Sequence, residues 1–187
     1  MLRRNLILTL ALAILLLLEG PISAYTFYLR EGTPYRWDLA KLNNTIYWSV
    51  EAGAPEIVRA SALSAMEKWT AATEGKITFI EGQGQIVFRY DADGALLGDS
   101  LFLATTTLRV DNTAQITAAT ITINGESYDW HRAGDGKVAA PVEGKRLADL
   151  DSVLLHELGH AMGMSHSDAQ PDAIVGMIGY GDLPTMN

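Results

Sequence analysis

The chain has 187 residues, a net charge of −8 at pH 7, 48% hydrophobic residues and no cysteine. This length is enough for one domain with its own hydrophobic core. The acidic balance argues against nucleic acid and anionic membranes as partners, and the absence of cysteine excludes disulfide bonds and thiolate chemistry.

The first 24 residues have the pattern of a secretory signal peptide. Two arginines precede a mostly apolar run at residues 6–18, and the small residue Ala24 stands where cleavage would occur. The run is shorter than the roughly 20 residues that a membrane span needs. We therefore predict a signal peptide at 1–24 and a secreted, extracellular or periplasmic domain at 25–187. The alternative is an uncleaved signal anchor that tethers the same domain to a membrane.

The next part of the chain predicts an arm, a strand and a helix. Residues 25–42 are mixed and aromatic, which favours an extended arm that packs on the domain. Thr45–Val50 is rich in β-formers and predicts a strand. Pro55 precedes apolar residues at three- and four-residue spacing, which predicts an amphipathic helix over 55–73.

The remainder predicts more strands and one further helix. The predicted strands lie at 76–80, 85–90, 101–107 and 116–124. Residues 128–143 contain two glycines and a proline and are interpreted as a loop, which includes His131. A second helix should begin at Asp149 or Asp151 as its cap and run to about residue 162. This order predicts an α+β domain with a twisted mixed sheet and the second helix packed on it.

That second helix carries the motif H-E-x-x-H-x-x-G-x-x-H at residues 156–166. His156 and His160 are four apart, so a helix presents them on one face, where both can reach one zinc ion. Gly163 can end the helix sharply because glycine enters the left-handed region at little cost. The chain can then return His166 to the same metal.

Three histidine ligands leave a fourth position open for water, which is the arrangement of a catalytic zinc site. Glu157 follows the first ligand directly and would lie beside that water. A carboxylate there can accept the proton of the water and pass it to a leaving amine. The motif therefore predicts one catalytic Zn²⁺ and hydrolysis of an amide bond, with Glu157 as the general base.

These residues resemble the metzincin clan of zinc endopeptidases, and most of all the matrixins, in which a serine such as Ser167 follows the third histidine. The resemblance implies a metzincin-like (zincin) domain with a five-stranded sheet, two long helices and zinc in the cleft. It also implies a methionine in a tight turn beneath the metal. We assign this role to Met177, although Val175 stands at the usual spacing, and we assign Tyr180 to the wall of the substrate pocket.

The chain also departs from the matrixin pattern. It lacks the additional histidines of members with a structural zinc, so we expect one zinc ion. Calcium is common in the family, and Asp91, Asp93 and Asp99 offer carboxylates in a loop that contains Gly94, but this is not an EF-hand pattern. The usual helix after the methionine turn is not evident before Asn187, so the chain is either minimal or truncated.

The sequence thus predicts a secreted, monomeric zinc endopeptidase that acts on protein or peptide substrates. The substrate would pair as an added strand with the edge strand predicted at 101–107. One alternative is a zinc-binding interaction module without catalysis. Another is a zinc hydrolase of a different amide bond, such as a cell-wall peptide.

Overall fold

The computed structural model describes residues 26–98, 101–132 and 142–166, which form two helices and eleven strands. The helices are α1 (Glu56–Ala72) and α2 (Leu150–Ala161). The longer strands are β4 (Thr45–Val50), β5 (Thr78–Glu81), β6 (Ile86–Asp91), β7 (Ala104–Val110), β8 (Ile116–Asn124), β9 (Tyr128–His131) and β10 (Arg146–Asp149). Four strands have two residues each: β1 (Thr26–Phe27), β2 (Leu29–Arg30), β3 (Thr33–Pro34) and β11 (Met164–Ser165).

Five strands form the main sheet in the order β5-β4-β6-β8-β7. The pairs β4–β5, β4–β6 and β6–β8 are parallel, whereas β7 runs antiparallel to β8. This is the mixed five-stranded sheet with two helices that the sequence predicts, so the fold class is confirmed. Because β7 lies at the end of the order, its outer edge has no strand partner within the described part of the chain. Such an edge can pair with another extended segment.

Both helices pack on the sheet and against each other, α1 beside β5 and β6, and α2 beside β7 and β8. Alternate residues of the central strands point into this layer, as expected for strands with one buried face. The fully buried side chains include Ile46, Trp48, Ile86, Phe88, Ile121 and Ile123 from the strands and Leu150, Leu154 and Leu158 from α2. The helix that carries the zinc motif is therefore anchored by its opposite, apolar face.

The N-terminal arm packs on the domain, as predicted. Its β1 pairs antiparallel with β11, directly after the motif helix. Further along the arm, Trp37 is buried and its indole N–H donates to the carbonyl of Ala161 at 2.9 Å. The arm therefore contacts the last residue of α2 and the strand that follows the helix.

Two predicted elements need correction. The strand predicted at 101–107 lies instead at Ala104–Val110, because its ladder with β8 begins at Ala104 and continues to the turn at Asp111. Phe102 lies before the ladder and is 66% exposed. The other strand and helix boundaries differ from the predictions by at most two residues.

The loop predicted at 128–143 is wrong in its first part. Tyr128–His131 is a strand that pairs in parallel with Arg146–Asp149, so His131 belongs to a strand rather than to a loop. Both strands are only four residues long and contain aspartate, a poor strand former, so neither has a clear local signal. Their pairing depends on contacts between segments that are distant in sequence.

Among the described residues, no helix has the length and hydropathy needed to cross a membrane. The signal peptide predicted at 1–24 lies outside the described residues.

Candidate metal centre

The motif helix α2 begins at Asp149, whose side chain accepts hydrogen bonds from the backbone N–H groups of Asp151 and Ser152. Such bonds satisfy donors that the first turn of a helix leaves free. Asp151, the other candidate for the cap, instead accepts a hydrogen bond from Arg132 at 2.9 Å. The structure thereby decides between the two caps that the sequence left open.

The helix presents His156 and His160 side by side, with their ring centroids 4.6 Å apart. It ends at Ala161, and Gly163 then adopts a φ of 95°, which returns the chain toward the helix. His166 consequently lies beside the other two rings, with its Nε2 3.0 Å from Nε2 of His160. The ligand nitrogens of all three histidines lie within 4.8 Å of one another.

The surroundings of these rings, a main-chain acceptor at His160 and burial at His156 and His166, are compatible with a metal site. Nδ1 of His160 lies 2.8 Å from the carbonyl oxygen of Met164 and donates to it, since a carbonyl only accepts. When the His160 ring is neutral, its lone pair is on Nε2, the nitrogen that lies beside His166. Burial, helped by the neighbouring histidines, lowers the pKa of His156 to about 4, and burial also lowers the pKa of His166. Neutral imidazole is the form that binds metal.

Glu157 lies on the same helix and is buried, with 7% of its surface exposed. Burial raises the pKa of its carboxyl, while a hydrogen bond from Thr106 and the charge of His166 act in the opposite direction. The Thr106 hydroxyl oxygen lies 2.6 Å from Oε2 of this carboxylate. The buried carboxyl of Glu157 therefore lies close to His166 of the three-histidine cluster.

The family model described as Matrixin, a peptidase family, matches residues 37–185 of the chain. The chain belongs to the matrixin family. A search of the curated proteins gave no match. Matrixins are zinc-dependent endopeptidases, so the chain is a metalloprotease whose substrates are proteins or peptides. The cluster of His156, His160 and His166 is the described group that could hold such a metal ion.

The arm of this matrixin also reaches the metal centre, which the sequence did not indicate. The hydroxyl of Thr26 donates to the carbonyl of His166, and the N–H of Tyr28 donates to the carbonyl of Gly163 at 3.0 Å. The ring of Tyr28 lies 5.9 Å from that of His160. Burial and, to a lesser degree, the charge of Glu157 raise the pKa of the Tyr28 phenol.

Two of the three carboxylates considered for calcium form loop contacts in the matrixin structure. Asp91 is buried, and its Oδ2 accepts hydrogen bonds from the backbone of Leu96 and Leu97. Asp93 accepts one from the backbone of Ala95. Asp99 lies outside the described residues, and calcium binding stays a prediction.

Four further residues named from the matrixin resemblance lie outside the described part of the chain: Ser167, Val175, Met177 and Tyr180. Among the described residues, the histidine cluster is the one group of at least three potential metal ligands. His131 lies apart from it, with its Nε2 3.7 Å from Oδ2 of Asp129.

Sequence reasoning also missed Thr106. Its only signal in the sequence is its position in the run Thr105-Thr106-Thr107, and nothing in that run indicates which hydroxyl faces α2.

Proposed function

We propose that the chain is a secreted zinc endopeptidase in which His156, His160 and His166 bind the metal and Glu157 is the general base. The observation that supports this most directly is the convergence of the three imidazoles beside a buried carboxylate. When bound there, zinc would supply a Lewis acid that polarises the scissile carbonyl and acidifies water.

A side chain of the protein, Glu157, would carry out the proton transfers. The buried Glu157 accepts a proton from the attacking water and delivers it to the amine that leaves when the peptide bond breaks. Its Oε2 already accepts the Thr106 hydrogen bond, which leaves Oε1 for this exchange. The raised pKa of the carboxyl favours the first transfer, because a stronger base takes the proton of the water more readily.

The outer edge of β7, which pairs with no other described strand, is the proposed position of the substrate backbone. The Thr106 contact shows that this edge strand passes directly beside Glu157. A peptide that adds to β7 would exchange main-chain hydrogen bonds with it and lie extended across the metal centre. The shifted boundary of β7, Ala104–Val110, moves the proposed docking strand three residues along the chain from the predicted 101–107.

From the matrixin resemblance, we also propose that Tyr180 lines the substrate pocket and that Met177 lies in the tight turn beneath the metal. A monomer is proposed as the working form, with zinc as its one catalytic metal.

The deciding experiment is digestion of casein by the zinc-loaded protein, with and without a chelator, beside Glu157→Gln. We expect cleavage that requires zinc and falls by several orders of magnitude in the variant, while one zinc per chain is retained. Cleavage by Glu157→Gln at the wild-type rate would refute the general base. Bound zinc without cleavage of casein would favour an interaction module, or a hydrolase of cell-wall peptides if such fragments are cut.

Secretion is part of the same proposal, supported by the apolar N-terminal segment. Mass spectrometry of the protein expressed with its full N-terminus should find Tyr25 as the first residue in the released fraction. A membrane-bound product that retains residues 1–24 would instead establish the signal-anchored form.

A further inference from the structure

The hydroxyl of Thr106 makes the only side-chain hydrogen bond to Glu157 among the contacts of the described residues. Its Oγ1 lies 2.6 Å from Oε2 of Glu157 and 3.1 Å from the main-chain carbonyl of the same residue. A hydroxyl has one proton to donate, and the shorter contact is to the charged acceptor. The bond to the carboxylate is therefore the stronger of the two.

We propose that Thr106 is a positioning residue for the general base, an inference that rests on the function proposed above. Glu157 has three side-chain torsions, and Thr106 would restrict them by holding one carboxylate oxygen. The other oxygen then stays directed toward the water from which it takes a proton.

Thr106 is well placed to do this because its own position is rigid. It is β-branched, which restricts its first torsion, and its backbone is paired with Ile121 of the neighbouring strand β8. Ile121 is fully buried. The donor, the Thr106 hydroxyl, is thus fixed to the sheet, while the acceptor, the Glu157 carboxylate, lies on α2. The hydrogen bond therefore sets the position of the carboxylate relative to the strand edge on which the peptide would lie.

Peptide binding and catalysis should depend on different parts of Thr106, its main chain and its side chain. A peptide added to β7 would use the main chain of the strand, which does not depend on the Thr106 side chain. Loss of the hydroxyl should therefore reduce kcat and leave KM nearly unchanged, whereas general damage to the strand would change both.

The test compares Thr106→Val, which has the same shape without the hydroxyl, with Thr106→Ser, which keeps it. We expect Thr106→Val to lose roughly tenfold to a hundredfold in kcat, the range for misplacement of a catalytic group, with KM and zinc content unchanged. Thr106→Ser should recover most of the loss.

Thr117→Val is the matched control. It removes an exposed threonine hydroxyl from β8 whose hydrogen bond goes to the carbonyl of Arg109 rather than to Glu157. This variant should keep wild-type kcat and KM.

Wild-type kcat in Thr106→Val would overturn the inference. A fall in kcat that Thr106→Ser does not recover, or that accompanies a loss of bound zinc, would also overturn it. If the valine variant does not fold, Thr106→Ala against Thr106→Ser gives the same comparison. Glu157→Gln, assayed in parallel, distinguishes failure of the proposed function from failure of the role of Thr106. Full activity of Glu157→Gln would refute the proposed function. An inactive Glu157→Gln beside a fully active Thr106→Val would refute only the role of Thr106.

Discussion

The indole of Trp37 donates to the carbonyl of Ala161, the last residue of the motif helix, at 2.9 Å. The carbonyls of the last helical turn have no partner within the helix, so a buried carbonyl there needs an external donor. Trp37 supplies it from the N-terminal arm, and the turn that leads to His166 begins from this fixed end.

Replacing Trp37 by phenylalanine should lower the free energy of unfolding of the zinc-saturated protein by about 1–3 kcal/mol. Phenylalanine is smaller than tryptophan, and in addition the buried carbonyl of Ala161 loses its indole donor. Urea denaturation measures the change. Trp69→Phe is the control, since its indole is less buried and makes a longer, 3.3 Å bond to Leu155. A loss in Trp37→Phe no larger than that in Trp69→Phe would contradict the prediction.

Gly163→Ala should destabilise the protein and weaken zinc binding. A Cβ at this position would lie 2.3 Å from the carbonyl oxygen of Tyr35, and the φ of 95° is strained for any L side chain. The backbone must shift, and His166 follows only three residues later. Thermal denaturation and competition with a chromophoric zinc chelator measure the two effects.

Gly53→Ala separates strain from collision in that experiment. Gly53 has a similar φ of 91°, but a Cβ there would meet nothing within 4 Å. It should cost about 1–2 kcal/mol through strain alone and leave zinc affinity unchanged. Equal effects of the two substitutions would show that the collision with Tyr35 is unimportant.

Removal of Thr26 and Phe27 should weaken zinc binding by about tenfold to a hundredfold, the range for groups that orient metal ligands. These residues form β1, which pairs with Met164–Ser165, and Thr26 donates to the carbonyl of His166. The comparison is between protein that begins at Thr26 and protein that begins at Tyr28, by zinc competition. Equal affinities would show that the arm does not hold the third ligand.

Removal of zinc should lower the midpoint of thermal unfolding as well as stop proteolysis. Ligand that binds only the folded state stabilises it by about 4 kcal/mol at a free concentration 1,000 times its Kd. Calorimetry at several free zinc concentrations should show the midpoint rising with zinc. His166→Ala should lose most of this dependence, whereas His131→Ala, which changes the histidine outside the cluster, should keep it. An unchanged zinc dependence in His166→Ala would remove that residue from the ligand set.

The sequence by itself determined the features that depend on neighbouring residues. The spacing of His156 and His160 places them on one face of any helix, and a glycine at 163 permits the sharp turn. Alternation and β-branched residues located the sheet strands to within a few residues. The pairing of His156 with His160 could be predicted because helical periodicity is a local property of the backbone, whereas His166 lies beyond the helix end and needs the turn at Gly163.

Only the tertiary structure decided which distant groups complete the site. Thr106 and Glu157 are 51 residues apart, Trp37 and Ala161 are 124 apart, and Thr26 and His166 are 140 apart. The pairing of β9 with β10 and the choice of Asp149 over Asp151 as the helix cap were settled in the same way. Such contacts depend on the path of the whole chain and on which hydroxyl or indole it brings within 3 Å, and no short-range spacing encodes that path.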